Sequence, residues 1–299
     1  MSLSLETRYF ERMDAALGDK LRVVDYLPDI PQRPARIADM GAGSGQLGMA
    51  IARLADATVY GVDNHPDALA RMSTTQFQPE GFSAVRGSFA DLEVLAGPQG
   101  LDAVVCSAVL HEVFSYASAT ADPSGFLDPT ELWAAWTAAI SQSAAALRPG
   151  GRLIIRDGVA PDDPHVPAIF STPDDDTAHL VAAYQNISPF AAAALEPASH
   201  EPGNRHWLGD RYAVAQALLT VTWGPDSLPR EALELYALDT LSNYQERVLA
   251  AAPTLRPVHA EAYTQPGYLE ALAPWSWADQ LSGEVWPLLT NALWVFERV

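Results

Sequence analysis

The chain has 299 residues, is 48% hydrophobic and 18% charged, and carries a formal net charge of −19. That is a globular composition with enough chain for a sizeable core, and a negative field with Lys20 as the only lysine disfavours a nucleic acid substrate. Cys106 is the only cysteine, which excludes an intramolecular disulfide and a cysteine-built metal centre; no apolar run reaches the roughly 18 residues of a membrane span, and the first ten residues lack a signal-peptide core, so a cytoplasmic location is expected.

Residues 1–35 form the N-terminal segment, in which Leu5 to Leu27 reads as one or two amphipathic helices, with Leu17, Leu21, Val24 and Leu27 recurring at helical spacing. Pro28, Pro31 and Pro34 then stop the helix. From Arg36 short apolar runs alternate with helical patterns. The strands expected are 36–40, 58–63, 82–87, 101–107 and 151–156, with helices beginning near Gly45, Pro66 and Pro129. Such alternation predicts an α/β core over 36–157, with a parallel sheet covered by helices. Residues 158–239 lose this regularity. They carry many prolines, the acidic run Asp174-Asp175-Asp176 and the alanine tract 191–194, with helical patterns only at 211–219 and 230–237. They read as a helical insertion or lid. In residues 240–299, Thr240 is placed to cap a helix reaching Ala251, and strands at 257–264 and 292–297 complete the sheet. Trp294 and Phe296 share one strand face and are expected in the core.

The segment Asp39-Met40-Gly41-Ala42-Gly43-Ser44-Gly45-Gln46-Leu47-Gly48 follows the first strand and opens a helix whose Leu47, Ala50, Ile51 and Leu54 fall on one face. Glycines let the backbone approach a ligand, and the helix start offers free N–H groups. Asp63, at the end of the second strand, is placed to accept from two ribose hydroxyls. The glycines alone also satisfy the dinucleotide pattern, as Gly43-x-Gly45-x-x-Gly48 with Asp63 about 20 residues beyond. Asp39 tips the balance, because a carboxylate there repels a pyrophosphate and attracts an ammonium or sulfonium. Two further segments agree: the run from Leu101 to Glu112, a strand entering a polar site, and Leu147-Arg148-Pro149-Gly150-Gly151, a helix end and tight turn before a strand.

With these motifs the chain resembles the class I S-adenosylmethionine (SAM)-dependent methyltransferases over residues 36–157, and less closely over 240–299. The resemblance implies a Rossmann-like, seven-stranded, mostly parallel sheet with an antiparallel last strand, preceded by N-terminal helices and interrupted after the fifth strand by the insertion. It implies SAM as cofactor and S-adenosylhomocysteine as product. Asp39, Gly41, Gly43 and Gly45 correspond to the family's methionine-binding turn, and Asp63 to its ribose-binding acid. Ser88 stands where the family often has an adenine-binding aspartate, and Phe89 offers a ring to pack on the base. Ser107, at the tip of the fourth strand, is counted with the cofactor contacts.

Methyl transfer from a sulfonium requires alignment of nucleophile, methyl and sulfur, with a base only where the nucleophile starts protonated. His111 and Glu112 follow the fourth strand. His111 is the preferred base by its ordinary pKa, and Glu112 would orient it, bind an amine or act as base itself. Asp157 ends the fifth strand beside the same cleft. In the insertion, His200, Arg205, His206 and Trp207, with Tyr184, Asn186 and Tyr212, are candidates to touch an acceptor. No metal site is expected, since no His-x-x-x-His pair occurs. The expected function is methyl transfer to an oxygen or nitrogen of a small molecule, by an enzyme compatible with a homodimer. The Asn/Asp-Pro-Pro-Tyr/Phe motif of base-directed amino methylation is absent after the fourth strand. Two other readings stay open at this point: an NAD(P)-dependent oxidoreductase, and a SAM-binding protein without transferase activity.

Overall fold

The computed structural model describes residues 14–74, 78–117, 129–190, 195–201 and 203–299. The helical pattern expected over residues 5–13 and the alanine tract 191–194 lie outside them. The N-terminal segment enters as a short helix α1 (Leu17–Lys20) and a 3-10 turn (Leu21–Tyr26). The core then alternates β1 (Arg36–Met40), α2 (Gln46–Leu54), β2 (Thr58–Asp63), α3 (Pro66–Thr74), β3 (Phe82–Arg86), α4 (Leu92–Ala96), β4 (Leu101–Ser107), α5 (Leu110–Tyr116), α6 (Pro129–Ala146) and β5 (Leu147–Asp157). The insertion holds β6 (Pro167–Ser171), α7 (Asp175–Ile187), β7 (Glu196–Pro197), β8 (His206–Asp210), α8 (Arg211–Val221) and α9 (Leu228–Glu231). The chain closes with α10 (Leu241–Ala251), β9 (Leu255–Tyr263), α11 (Pro266–Leu272), β10 (Ser276–Asp279) and β11 (Asn291–Arg298).

Seven strands form the main sheet in the order β3-β2-β1-β4-β5-β11-β9. All neighbours from β3 to β5 pair in parallel, and β11 runs antiparallel to both β5 and β9. This is the Rossmann-like sheet with a reversed final strand. Every residue of β4 is buried, as a central strand covered on both faces demands. Along the strands the side chains alternate between two cores: Ile37 and Val105 face Met49 and Ile51 of α2, while Ala38 and Val104 face Trp136 of α6 and Tyr244 of α10. Trp294 of β11 stacks on Tyr244 at 4.1 Å between ring centroids, so both expected core residues, Trp294 and Phe296, are fully buried. β5 starts before the expected Gly151. The Pro149-Gly150-Gly151 turn is carried as an irregularity in its pairing with β4, between Leu101 and Ala103.

A buried carboxylate fastens the base of the sheet. Asp102 accepts from Arg33 at 2.6 and 2.9 Å, from the Arg36 amide at 2.7 Å and from Arg148. Burial alone would raise its pKa, but these donors outweigh it and hold the carboxyl below its usual range.

The insertion departs from the helical lid expected of it. Beside its helices it carries β6, β7 and β8, which join β10 in a second, antiparallel sheet of order β10-β6-β8-β7. Phe170, Tyr184, Trp207, Leu218, Trp275 and Trp286 fill a separate apolar core beneath it. The expected helix 230–237 is also cut short at Glu231. Beyond it the backbone finds side-chain partners instead of helical ones: the Leu235 amide donates to Ser115 Oγ at 2.8 Å and the Ala237 amide to Gln216 Oε1 at 3.1 Å. No helix among the described residues is long and apolar enough to cross a membrane.

Candidate active site

The carboxyl ends of β1, β2 and β4 open on a cavity of about 700 Å³. Gly41 and Gly43 of the first turn, Asp63, Ser88 and Phe89 line it. Gly41 has φ +63°, and a Cβ there would run into Val109, so the turn is a cradle that only glycine leaves open. Asp63 is aimed by two backbone amides, Gly43 N at 2.9 Å and His65 N at 2.8 Å, one on each oxygen. Ser88 is engaged in a local cap, donating with its amide and hydroxyl to Asp91 Oδ2 at 2.8 and 3.0 Å. Gly45 does not line the cavity. A Cβ on it would lie 2.7 Å from Met72 Cγ and one on Gly48 2.8 Å from Phe82, so these two glycines bring α2 against the sheet. The dinucleotide-like spacing thus has a packing origin in its second half.

Next to the large cavity is a narrow cleft of about 20 Å³ lined by Asp39, Gly41, Ser107, Lys20 and Asp14. Asp39 is 2% exposed, and its Oδ2, like Ser107 Oγ, has no hydrogen-bond partner among the described residues. Burial pushes the Asp39 carboxyl up to about 7, against the opposing pull of Lys20 and the Gly48 backbone. A buried carboxylate oxygen and a hydroxyl beside a glycine cradle fit a polar, cationic ligand group, and the carboxylate, when ionised, would repel a pyrophosphate. The sequence reading missed Lys20 as a site residue, although a lone lysine in so acidic a chain was a usable signal. α1 brings it here, fastened by Asp19, which takes Arg156 Nε at 2.9 Å and the Tyr263 hydroxyl at 3.0 Å.

A second cavity of about 100 Å³ adjoins the first across Ala108 and Glu112, which border both. Ala108 takes φ +57°, an uncommon left-handed conformation for a residue with a side chain, held by its amide donating to Arg156 O at 2.7 Å. His111, Asp157, Glu234 and Tyr236 form one wall of this cavity. Asp157 receives His111 Nδ1 at 2.6 Å and the amides of His111 and Gly158 at 3.1 and 2.9 Å. His111 Nε2 lies 3.4 Å from Glu234 Oε2. Burial disfavours a charged imidazole, yet Asp157 and Glu234 outweigh it and the His111 pKa rises well above its ordinary value. Glu112 is 27% exposed, with Arg230 3.9 Å away. Burial, and then the charge of Glu234, raise its carboxyl to about 7. The structure therefore brings His111, Glu112 and Asp157 together and adds Glu234, Tyr116 and Arg230. The sequence reading left out Glu234, which stood inside a run read as an ordinary helix.

The insertion candidates do not line either cavity. Arg205 pairs with Asp175 at 2.7 Å, His206 meets Ser171 at 2.6 Å, and Trp207 and Tyr184 are buried in the insertion's own core.

Residues 38–153 match the family model of a methyltransferase domain. Over that stretch, from β1 into β5, the chain is similar to methyltransferases. Over 88 residues it is 34% identical to trans-aconitate 2-methyltransferase of Streptomyces avermitilis; the aligned stretch spans 29% of this chain and only 33% of that relative. Among solved structures it is similar to the 1,6-didemethyltoxoflavin-N1-methyltransferase of Burkholderia thailandensis, with 1,6-didemethyltoxoflavin and S-adenosylhomocysteine bound. The TM-score is 0.50 at 16% identity, with 98% of this chain and 82% of that one covered. It is also similar to an O-methyltransferase family 2 protein of Planctomyces limnophilus in complex with apigenin, with a TM-score of 0.52 at 16% identity over 99% and 62% of the two chains. At those identities the structural likenesses concern the fold.

Proposed function

We propose that this chain is a class I SAM-dependent methyltransferase that moves a methyl group from SAM to an oxygen or nitrogen of a small molecule held in the second cavity. The carrying observation is Glu112, a carboxylate that borders both cavities and has a pKa raised to about 7. A group so placed, half ionised near neutral pH, is matched to taking a proton from an acceptor. His111 would not do so in this arrangement, because both its nitrogens face carboxylates.

When bound, SAM supplies a methyl on a good leaving group. The rest falls to this chain. Asp63, held by two amides, would bind the ribose hydroxyls; Asp39 and Ser107 would take the ammonium, and Lys20 would face the carboxylate. Phe89, in the wall of the large cavity, would lie against the adenine. The net negative charge of the chain and the small volume of the second cavity support a small acceptor, as do neighbours crystallised with small ligands.

The test is an acceptor panel of phenols, carboxylates and amines with methyl-labelled SAM, run on the wild type and on Glu112→Gln. Turnover on one of these classes that falls at least about 100-fold in the variant, with SAM affinity kept, is the expected result. SAM binding with no transfer to any class would favour a SAM-binding protein without transferase activity.

A further inference from the structure

His111 is held from two directions by parts of the chain far apart in sequence. On one side is Asp157 at the end of β5, with an oxygen 2.6 Å from Nδ1. On the other is Glu234 from the segment after α9, with an oxygen 3.4 Å from Nε2. Carboxylates accept hydrogen bonds and do not donate them when ionised. A neutral imidazole can donate to only one of the two and would turn a lone pair toward the other. The ring is 4% exposed and lies 4.8 Å from the Tyr236 ring, so it has no freedom to turn away.

Glu234 is itself prepared as an anion. Tyr116 donates to its Oε1 at 2.5 Å, and Arg230 Nε lies 3.6 Å from the same oxygen. Burial opposes its ionisation, but His111, Tyr116 and Arg230 outweigh that and lower its pKa. The backbone around it is fixed: Glu234 O accepts from Gln216 Nε2 at 2.9 Å, and the next amide, Leu235 N, donates to Ser115 Oγ on the helix that carries His111.

We propose that Glu234 is a positioning residue which, with Asp157, fixes His111 as a permanent imidazolium, so that docking of the insertion on α5 completes the active site. This rests on the reading of the cleft as a methyl-transfer site. The three groups together carry one net negative charge, and Glu112 stands beside them. The insertion therefore sets the proton affinity of the residue that faces the acceptor, in addition to lining the second cavity. Glu231, tied to Tyr236 through its hydroxyl, adds a further carboxyl behind this wall.

The same geometry has a rival occupant. Ligand atoms of His111, Glu112 and Glu234 lie within 4.8 Å of one another, a spacing a divalent cation would accept, and Asp157 behind His111 would orient the ring for it. A metal would take the place of the Nε2 proton. Among the described residues these are side chains that also satisfy one another without it, and no independent feature marks a metal, so the proton is the occupant argued for.

The experiment is a nitrogen-15 NMR titration of the full chain, with labelled histidine, from pH 5 to pH 9. His111 is assigned by comparison with His111→Asn. The expected result is an imidazolium signature for His111 that persists above pH 8, past the range in which exposed histidines lose their proton. Glu234→Gln should move that transition down by at least one pH unit while SAM affinity stays within about twofold. A wild-type His111 that is neutral at pH 7 overturns the proposal, and so does a transition that Glu234→Gln leaves in place. The wild-type titration stands even if the variant does not fold. In a parallel arm, stoichiometric Zn²⁺ or Mg²⁺ that removes the imidazolium signal at micromolar concentration, in the wild type but not in Glu234→Gln, overturns it in favour of a metal centre. Because none of these readings needs an acceptor, failure here is separate from failure of the transfer assay.

Discussion

Gly43 and Asp63 meet across 20 positions of sequence, whereas Tyr116 and Glu234 meet across 118. The proposed cofactor side of this molecule is a local construction, made by one β-α-β unit whose turns place backbone and carboxylate together. The proposed acceptor side is assembled at long range, where the strand ends of the main sheet meet an insertion with its own sheet and core. The first kind of site survives in a motif. The second exists only once two parts of the fold have packed.

If the two regions are as separable as their cores imply, damage to them should have different reach. Trp294→Ala, in the main core against Tyr244, should destabilise the protein by about 3–5 kcal/mol and take SAM binding with it near the melting midpoint. Trp207→Ala, in the insertion core, should cost a similar amount locally but leave SAM affinity nearly unchanged at 25 °C. Thermal unfolding followed by fluorescence, with calorimetric SAM titrations, reads both. An equal loss of affinity in the two variants would mean that the regions unfold as one.

A smaller effect isolates the cofactor side. Asp63→Ala removes the proposed acceptor for the ribose hydroxyls together with the partner of the Gly43 and His65 amides. SAM should then bind on the order of 100-fold more weakly by calorimetry. Unchanged affinity would remove Asp63 from the site.

The smallest effect is one of pH. Asp39 has its carboxyl raised to about 7 in the folded chain, from an ordinary value near 3.8. The folded state therefore holds this proton more tightly, and the stability it contributes falls as pH rises from about 4 to about 7. A cationic ligand group prefers the ionised form, so SAM affinity should rise with pH over the same window. An increase of about tenfold from pH 5.5 to pH 7, flattening above, is expected in titrations at constant ionic strength. A flat profile would indicate that Asp39 does not meet the ammonium.

The contrast between the regions also governs what could be read in advance. β1, β2 and β4 were legible to the residue, because each is a short, mostly apolar run and because Asp39 and Asp63 stand at the ends of the first two. Gly45 was legible as part of a motif but not in its role, since packing against Met72 and ligand approach both ask for glycine. The second sheet was hidden by its size. β6 and β8 are five residues each, and Pro164, Pro167 and Pro173 around β6 read as loop. Glu234 was hidden for a different reason: nothing local distinguishes it from Glu231 or Glu246, and only the fold puts it on His111. Lys20 fell between these cases, visible as an oddity of composition but not as a neighbour of Asp39.

One strand makes the insertion inseparable from the end of the chain. β10 pairs with β6, setting Trp277 opposite Phe170, and Asp279 grips Arg211 through two bonds of 2.8 Å. Residues 158–239 are thus sewn to a stretch some 40 positions downstream of them, and cannot be exchanged between relatives as a cassette. A transplant of acceptor preference would have to carry residues 266–290 as well, or leave a naked strand edge and an unanswered arginine at the seam.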